Sequence, residues 1–275
     1  EADWLVFSPD GRSLYFSYRY IAGYAPISPW ALVRVDIRDG FKTERVFEYP
    51  KCQIGLSHTR PSPDGKSIAV KASNPDETMS IAIIDLDTRK LSVVAEQPPG
   101  AYEVNFPVFS RSGQSIYFLS TYLASRQIDS LDLQTGKTTH VYPRADAKCW
   151  GRTPRPSLCS IDASEGGRDL NTPFNFAVDQ TGGAILFKHS HTSVDKTLES
   201  VGERSGFPPA VLKSMGLLYQ VSIEDSVLSV RPETYAMLSQ TGSDFEGRRG
   251  IGRMSVAADG TIFFTKEPFY RFKET

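Results

Sequence analysis

Two histidines with one residue between them, His189 and His191, are the side chains of this sequence whose spacing best suits metal chemistry. In an extended chain, side chains two residues apart point to the same side, and imidazole nitrogens are common ligands of divalent metals. The pair therefore defines a hypothetical divalent-metal site, for which the sequence names no third ligand. Two surface histidines at the end of a strand explain the same pattern, and they are the more frequent case.

No common enzyme motif accompanies this pair. The sequence contains no G-x-S-x-G nucleophile elbow, no P-loop, no G-x-G-x-x-G loop and no H-E-x-x-H segment. A run of glycine and arginine that includes Arg248 and Arg249 offers guanidinium groups and backbone amides to an anion. The same composition is typical of a solvated connection between strands. We therefore expect no cofactor, and a divalent metal at the histidine pair is the alternative.

Three cysteines, Cys52, Cys149 and Cys159, limit the covalent chemistry of the chain. None belongs to a C-x-x-C pair, so structural zinc and covalently attached haem have no support. Cys149 and Cys159 would close a small loop containing Trp150 and Arg152 if the protein is exported to an oxidising compartment. Three unlinked thiols are the alternative.

The composition indicates a globular protein without a strong electrostatic field. The 275 residues are 40% apolar and carry a formal net charge of −1. A near-neutral chain with interspersed charges disfavours nucleic acid and anionic membranes as partners, and no apolar run reaches the length of a membrane span. Since the chain begins at Glu1 without a methionine, we expect a processed or trimmed form, or part of a longer chain.

A repeated β unit must position these side chains. Its first copy, F-S-P-D-G-R-S-L-Y-F at 7–16, predicts a tight turn followed by a strand. Proline presets φ, aspartate hydrogen-bonds the backbone ahead, and glycine accepts a positive φ. Related turns recur at 62–65, 110–113, 179–182 and 257–260, and each of the first four copies is followed by two more strand-like runs. The unit is therefore a four-stranded antiparallel meander that recurs at roughly 45–55 residues.

Repeats of this length are typical of β-propeller blades. We predict an all-β fold in which the whole chain, 1–275, forms a single β-propeller of five or six four-stranded antiparallel blades. The recognisable blades lie at about 4–49, 57–96, 104–142, 173–232 and 251–275. The candidate segments for a degenerate sixth blade are 143–171 and 233–250. In the fourth blade, a capping serine and apolar residues at helical spacing predict a short helical insertion.

The repeat also resembles a known family. The pattern (F/P)-S-P-D-G-(R/K)-S-(I/L)-x-(F/V), followed by an (I/V)-D-(I/L) strand, is similar to the TolB-like, WD40-like (PD40) β-propeller repeat. The third copy departs from the pattern at Arg111 and Ser112. The resemblance implies the propeller fold. It leaves several functions open, because such repeats serve in periplasmic scaffold proteins, in propeller domains attached to peptidases and in some polysaccharide lyases.

Antiparallel alternation separates short connections from long ones. Within a blade, the first-to-second and third-to-fourth turns leave at one end of the strands, and here they are short. The second-to-third and blade-to-blade connections leave at the other end, and they include the long stretches 17–31, 143–173, 188–216 and 233–252. Long loops on a rigid scaffold commonly carry binding sites, although they could also have drifted without a partner. The loop-bearing face is therefore the predicted functional surface.

Aromatic and arginine side chains, which anchor interfaces and stack on sugar rings, mark this surface. The predicted binding residues are Tyr18, Arg19, Tyr20, Tyr24, Trp30, Trp150, Arg152, Arg248 and Arg249. The aromatic residues of the first insertion could instead fold over the first blade as a local cluster.

From these observations we predict a non-catalytic scaffold, periplasmic or extracellular in a bacterial envelope, that binds a protein partner or an extended ligand through the loop-bearing face. The alternative is a carbohydrate- or peptide-directed lyase or hydrolase, or the propeller domain of one. In that case the site lies at the central mouth of the propeller, and His189 and His191 are its acid/base or metal groups.

Overall fold

The computed structural model describes residues 2–19, 30–49, 56–73, 78–121, 126–142, 176–178, 181–189, 203, 217–224, 228–230, 249–256 and 262–268. The chain divides into two compact units, Glu1–Val141 (unit 1) and Tyr142–Thr275 (unit 2). The described residues are strands and the turns and short connections between them, apart from Glu203, which is helical. The rest of the predicted helical insertion lies outside the described residues.

Unit 1 contains three antiparallel sheets of four strands, each in the order of the chain. The first sheet is β1 (Ala2–Phe7), β2 (Ser13–Arg19), β3 (Trp30–Asp36) and β4 (Lys42–Tyr49). The second is β5 (Leu56–Pro61), β6 (Ser67–Ser73), β7 (Met79–Asp85) and β8 (Lys90–Glu96). The third is β9 (Glu103–Phe109), β10 (Ser115–Thr121), β11 (Arg126–Asp132) and β12 (Thr138–Tyr142). These are the meanders that the sequence predicts.

Unit 2 repeats the same plan. One four-stranded sheet consists of β13 (Phe176–Val178), β14 (Ala184–His189), β15 (Leu217–Ser222) and β16 (Leu228–Val230). A two-stranded sheet consists of β17 (Arg249–Val256) and β18 (Ile262–Pro268). The all-β prediction is thus confirmed for the described residues, whereas the number of blades and the blade boundaries remain predictions.

The core of unit 1 lies between neighbouring sheets. On β6, Ile68 and Val70 belong to a hydrophobic cluster shared with the first sheet, while Ala69 belongs to a cluster shared with the third. All three are fully buried because successive strand residues point to opposite faces and both faces of the second sheet are covered. This explains why its strands read as nearly continuous apolar runs.

One face of the first sheet differs from this arrangement. Phe7, at the end of β1, is 61% exposed, whereas Phe109, at the same position in the third sheet, is only 7% exposed. Leu5 on β1 is also exposed. Val6 between them packs on the cluster shared with the second sheet. The exposed apolar side chains of β1 therefore lie on the face turned away from the second sheet.

The first strands of the sheets share a local irregularity. The register of β1 against β2 shifts between Asp3 and Val6, and the register of β5 against β6 shifts between Ser57 and Arg60. The same shift occurs in β9 and in β17. Each is a bulge that inserts an extra residue into the first strand. β5 contacts both β1 and β9, so three of these bulged strands are neighbours in unit 1.

Candidate functional site

The Ser-Pro-Asp-Gly turns contain serine and aspartate side chains that could be mistaken for catalytic groups. In the second sheet, the hydroxyl of Ser62 donates to the carboxylate of Asp64 at 2.6 Å and accepts from the amide of Ser67 at 2.9 Å. Asp64 also accepts from the amide of Lys66 at 3.0 Å. The first turn has the same bonds at the same lengths. The polar groups of these turns therefore hold the turns closed.

Electrostatics of the turns support this structural role. The hydroxyl of Ser62, and then the amide of Lys66, hold the pKa of the Asp64 carboxyl below its ordinary value of 3.8. The pKa of Asp10 is lowered in the same way by Ser8 and then by Arg12. Both carboxyls are therefore charged hydrogen-bond acceptors at neutral pH, and neither is suited to donate a proton.

A backbone hydrogen bond also joins the two short turns of each four-stranded sheet. Amides at the third-to-fourth turn donate to carbonyls of the first-to-second turn at 2.9 Å. The pairs are Ile37 to Arg12, Leu86 to Lys66, Leu133 to Gln114 and, in unit 2, Ile223 to Gly183. We call the end of a sheet that carries these turns its turn-bearing end. The opposite end, from which the longer connections leave, is its loop-bearing end.

The first predicted binding loop does start at the loop-bearing end. The predicted bounds of this connection, 17–31, are wrong at both ends, because β2 extends to Arg19 and β3 begins at Trp30, and these two residues are register partners. Trp30 is in turn the register partner of Tyr49 on β4. The chain between the two strands, with Tyr20 and Tyr24, lies outside the described residues.

Trp30 combines a predicted binding position with a packing role. It is half-buried and packs, with Phe47 and Tyr49, against the cluster shared by the first and second sheets. The rings of Phe47 and Tyr49 are 6.1 Å apart and inclined at 51°, a tilted pair of the kind that aromatic side chains favour. For Trp30, this geometry favours the local-cluster explanation. Tyr18 is half-buried on the neighbouring strand and makes contacts of its own.

The remaining predicted site residues are only partly described. His189 is the last residue of β14 and the register partner of Leu217, and Arg249 is the first residue of β17 and the register partner of Pro268. The residues outside the described part are Trp150, Arg152, His191, Arg248 and the cysteines Cys149 and Cys159. The described residues contain no group of three or more His, Cys, Asp or Glu that could hold a metal ion. The metal, disulfide and binding assignments of these residues remain predictions.

A half-buried ion pair at the loop-bearing end of unit 1 was not predicted from the sequence. The ammonium of Lys71 on β6 contacts the Oε1 atom of Glu103, the first residue of β9. The Lys71 side chain is 9% exposed and that of Glu103 is 36% exposed. The available signal was a lysine within the apolar run I-A-V-K-A at 68–72, where a charged residue needs a partner.

The strand that carries Glu103 has two further unusual features. Asn105 is 5% exposed, and its Oδ1 atom has no hydrogen-bond partner among the described residues. Phe106 follows in the left-handed region, with φ of 53°, within the bulge of β9. A bulky residue rarely adopts this conformation, and strain and unpaired buried polar atoms are enriched at functional sites.

Three polar side chains of the third sheet form another buried network. The hydroxyl of Ser120 donates to Oδ2 of Asp129 at 2.6 Å, and Nδ1 of His140 lies 2.9 Å from Oδ1 of the same carboxylate. This is not a Ser-His-Asp triad, because the serine bonds to the aspartate instead of the histidine. The arrangement pairs a buried carboxylate with two donors and orients the imidazole.

A solvent-exposed aromatic residue also lies at the loop-bearing end. Tyr102, in the connection between the second and third sheets, is 56% exposed, and its amide donates to the carbonyl of Thr121 at 2.7 Å. The side chain of Gln97 ties the same connection down, accepting from Met79 and donating to Ala101. These bonds hold the backbone of the connection, and the Tyr102 side chain faces solvent.

The chain is similar in fold to several solved β-propellers. TolB from Acinetobacter baumannii matches 100% of this chain and 48% of its own, with a TM-score of 0.53 and 15% identity. A protein assigned as TolB from Agrobacterium tumefaciens matches 99% of this chain and 72% of its own, with a TM-score of 0.58 and 14% identity. The β-propeller domain of the trilobed protease from Pyrococcus furiosus matches 98% of this chain and 80% of its own, with a TM-score of 0.51 and 14% identity. At these identities the likeness shows a TolB-like propeller fold and no shared function.

The chain spans about half the length of the TolB from Acinetobacter baumannii. No family model matches the sequence, and no curated protein matches it. Membership of the PD40 family therefore remains a prediction, while the fold is supported by the structures. In the described part of the chain, no helix has the length and apolar character needed to cross a membrane.

Proposed function

We propose that this protein is a binding scaffold that engages a protein partner through the loop-bearing ends of its sheets. The observation that carries the proposal is the contrast between the two ends. At the turn-bearing end, serine and aspartate side chains close the turns on themselves. The loop-bearing end has the ion pair of Lys71 and Glu103, the exposed Tyr102 and the start of the aromatic loop after Arg19. Exposed tyrosine side chains of this kind anchor protein interfaces, and charged groups set their specificity.

A further likeness is consistent with a protein partner, or with an extended ligand bound in the same way. A chain of the nidogen–laminin complex matches over 96% of this chain and 70% of its own, with a TM-score of 0.53 and 10% identity. That structure is a protein–protein complex. The likeness makes a protein partner plausible for this fold without naming one.

Site-specific photo-crosslinking tests the proposal. A photoreactive phenylalanine analogue replaces Tyr102 at the loop-bearing end in one variant and Phe41 at the turn-bearing end in another. The two positions are matched, because both residues are aromatic and exposed to solvent, Tyr102 by 56% and Phe41 by 68%. In extracts of the source cells we expect a defined crosslinked partner from position 102 and none from position 41. Equal crosslinking from both positions, or none from either, would contradict the proposal.

An enzymatic role is the second candidate, because 98% of this chain matches the protease propeller domain from Pyrococcus furiosus in fold. In this case the chain is the propeller domain of a peptide- or carbohydrate-directed enzyme, and His189 and His191 hold a divalent metal at the central mouth. Metal analysis of the purified protein tests it. Stoichiometric metal that is lost in the His189→Ala/His191→Ala double variant supports the enzyme, whereas a metal-free protein leaves only metal-independent chemistry.

We also propose a periplasmic or extracellular location. The proposal rests on the repeat resemblance and on the Cys149–Cys159 loop, which would form a disulfide in an oxidising compartment. Counting free thiols under denaturing conditions tests the disulfide. One free thiol per chain supports it, and three free thiols would remove this argument for export.

A further inference from the structure

We draw no further inference here: the strongest candidate, the face of the first sheet that is turned away from the second sheet and exposes Leu5 and Phe7 on β1, is an apolar surface, and nothing in the described part of the chain shows what covers it.

Discussion

Replacing Ser112 by aspartate would restore in the third turn the residue that the first two turns use. In those turns the serine hydroxyl donates to the aspartate at 2.6 Å, and the amide two residues after the aspartate donates to it at 3.0 Å. In the third turn, the hydroxyls of Ser110 and Ser112 are 3.2 Å apart, and the amide of Gln114 is 3.3 Å from the Ser112 hydroxyl. We therefore expect Ser112→Asp to stabilise the protein.

The size of this effect follows from the two hydrogen bonds that change. A neutral hydrogen bond contributes about 1 kcal/mol net, and a bond to a charged acceptor contributes roughly twice as much. Two such replacements would add about 2 kcal/mol in a dry site. Because Ser112 is exposed, solvent screening reduces the expected gain to about 0.5–1 kcal/mol. Urea unfolding at pH 7 measures it as a shift of the midpoint.

The gain should depend on pH in a defined direction. In the second turn, the pKa of the Asp64 carboxyl is lowered from 3.8 by the Ser62 hydroxyl and then by the Lys66 amide. A carboxyl whose pKa is lower in the folded state stabilises fully above its unfolded pKa, and the stabilisation is lost as pH falls through the folded pKa. The gain from Ser112→Asp should therefore be present at pH 7 and decrease as the pH falls below 3.8 through the lowered folded-state pKa of the new carboxyl. Ser112→Asn, which has the shape without the charge, is the control. Equal stability of the two variants at pH 7 would refute the reasoning.

Three other substitutions test the structural assignments. Gly65 has φ of 72°, and a Cβ there would meet Pro9 of the first sheet at an ordinary distance of 3.7 Å. Gly65→Ala should thus cost about 1–2 kcal/mol through backbone strain alone, read from urea unfolding, and a neutral result would contradict this. Asp129→Ala leaves the buried hydroxyl of Ser120 without its acceptor and should cost about 2–3 kcal/mol. His140→Ala, at the exposed end of the network, should cost less in the same assay, and the reverse order would contradict this account.

Much of the fold could be predicted because its signals are local. Each Ser-Pro-Asp-Gly turn contains, within four residues, the groups that close it, and the strands that follow have the apolar pattern of a sheet. The third turn is therefore predicted correctly, although Arg111 and Ser112 replace the proline and the aspartate. A backbone hydrogen bond of 3.0 Å from the amide of Gly113 to the carbonyl of Ser110 closes it. The bounds of the first insertion are different: the sequence predicts Tyr18, Arg19 and Trp30 in the connection 17–31, whereas the structure places them at the ends of β2 and β3.

The site could not be predicted because it depends on contacts between residues far apart in the sequence. Lys71 and Glu103 are separated by 32 positions, and they meet because β6 and β9 belong to neighbouring sheets that pack together. The sequence shows that a charge occurs in an apolar strand, but it does not show which sheet faces it. Phe106 is left-handed within a bulge that follows Asn105, whose Oδ1 has no hydrogen-bond partner among the described residues, and neither feature has a distinct sequence signal here.

The repeats themselves offer a way to separate structural residues from functional ones. Where equivalent positions carry the same residue and make the same bonds, as Ser8 and Ser62 do, the fold explains the residue completely. Where the backbone is equivalent but the side chains differ in kind, the fold explains only the volume that is available to the side chain and not its chemical identity. Lys71 is such a position within unit 1, since its counterparts there are Ser17 and Leu119, while Lys188 occupies the equivalent register position on β14 in unit 2. The sheet accommodates all three side chains of unit 1, and the charge of Lys71 is matched by Glu103 of the neighbouring sheet. Comparison between blades thus leads to the loop-bearing end by a route that does not depend on loop length.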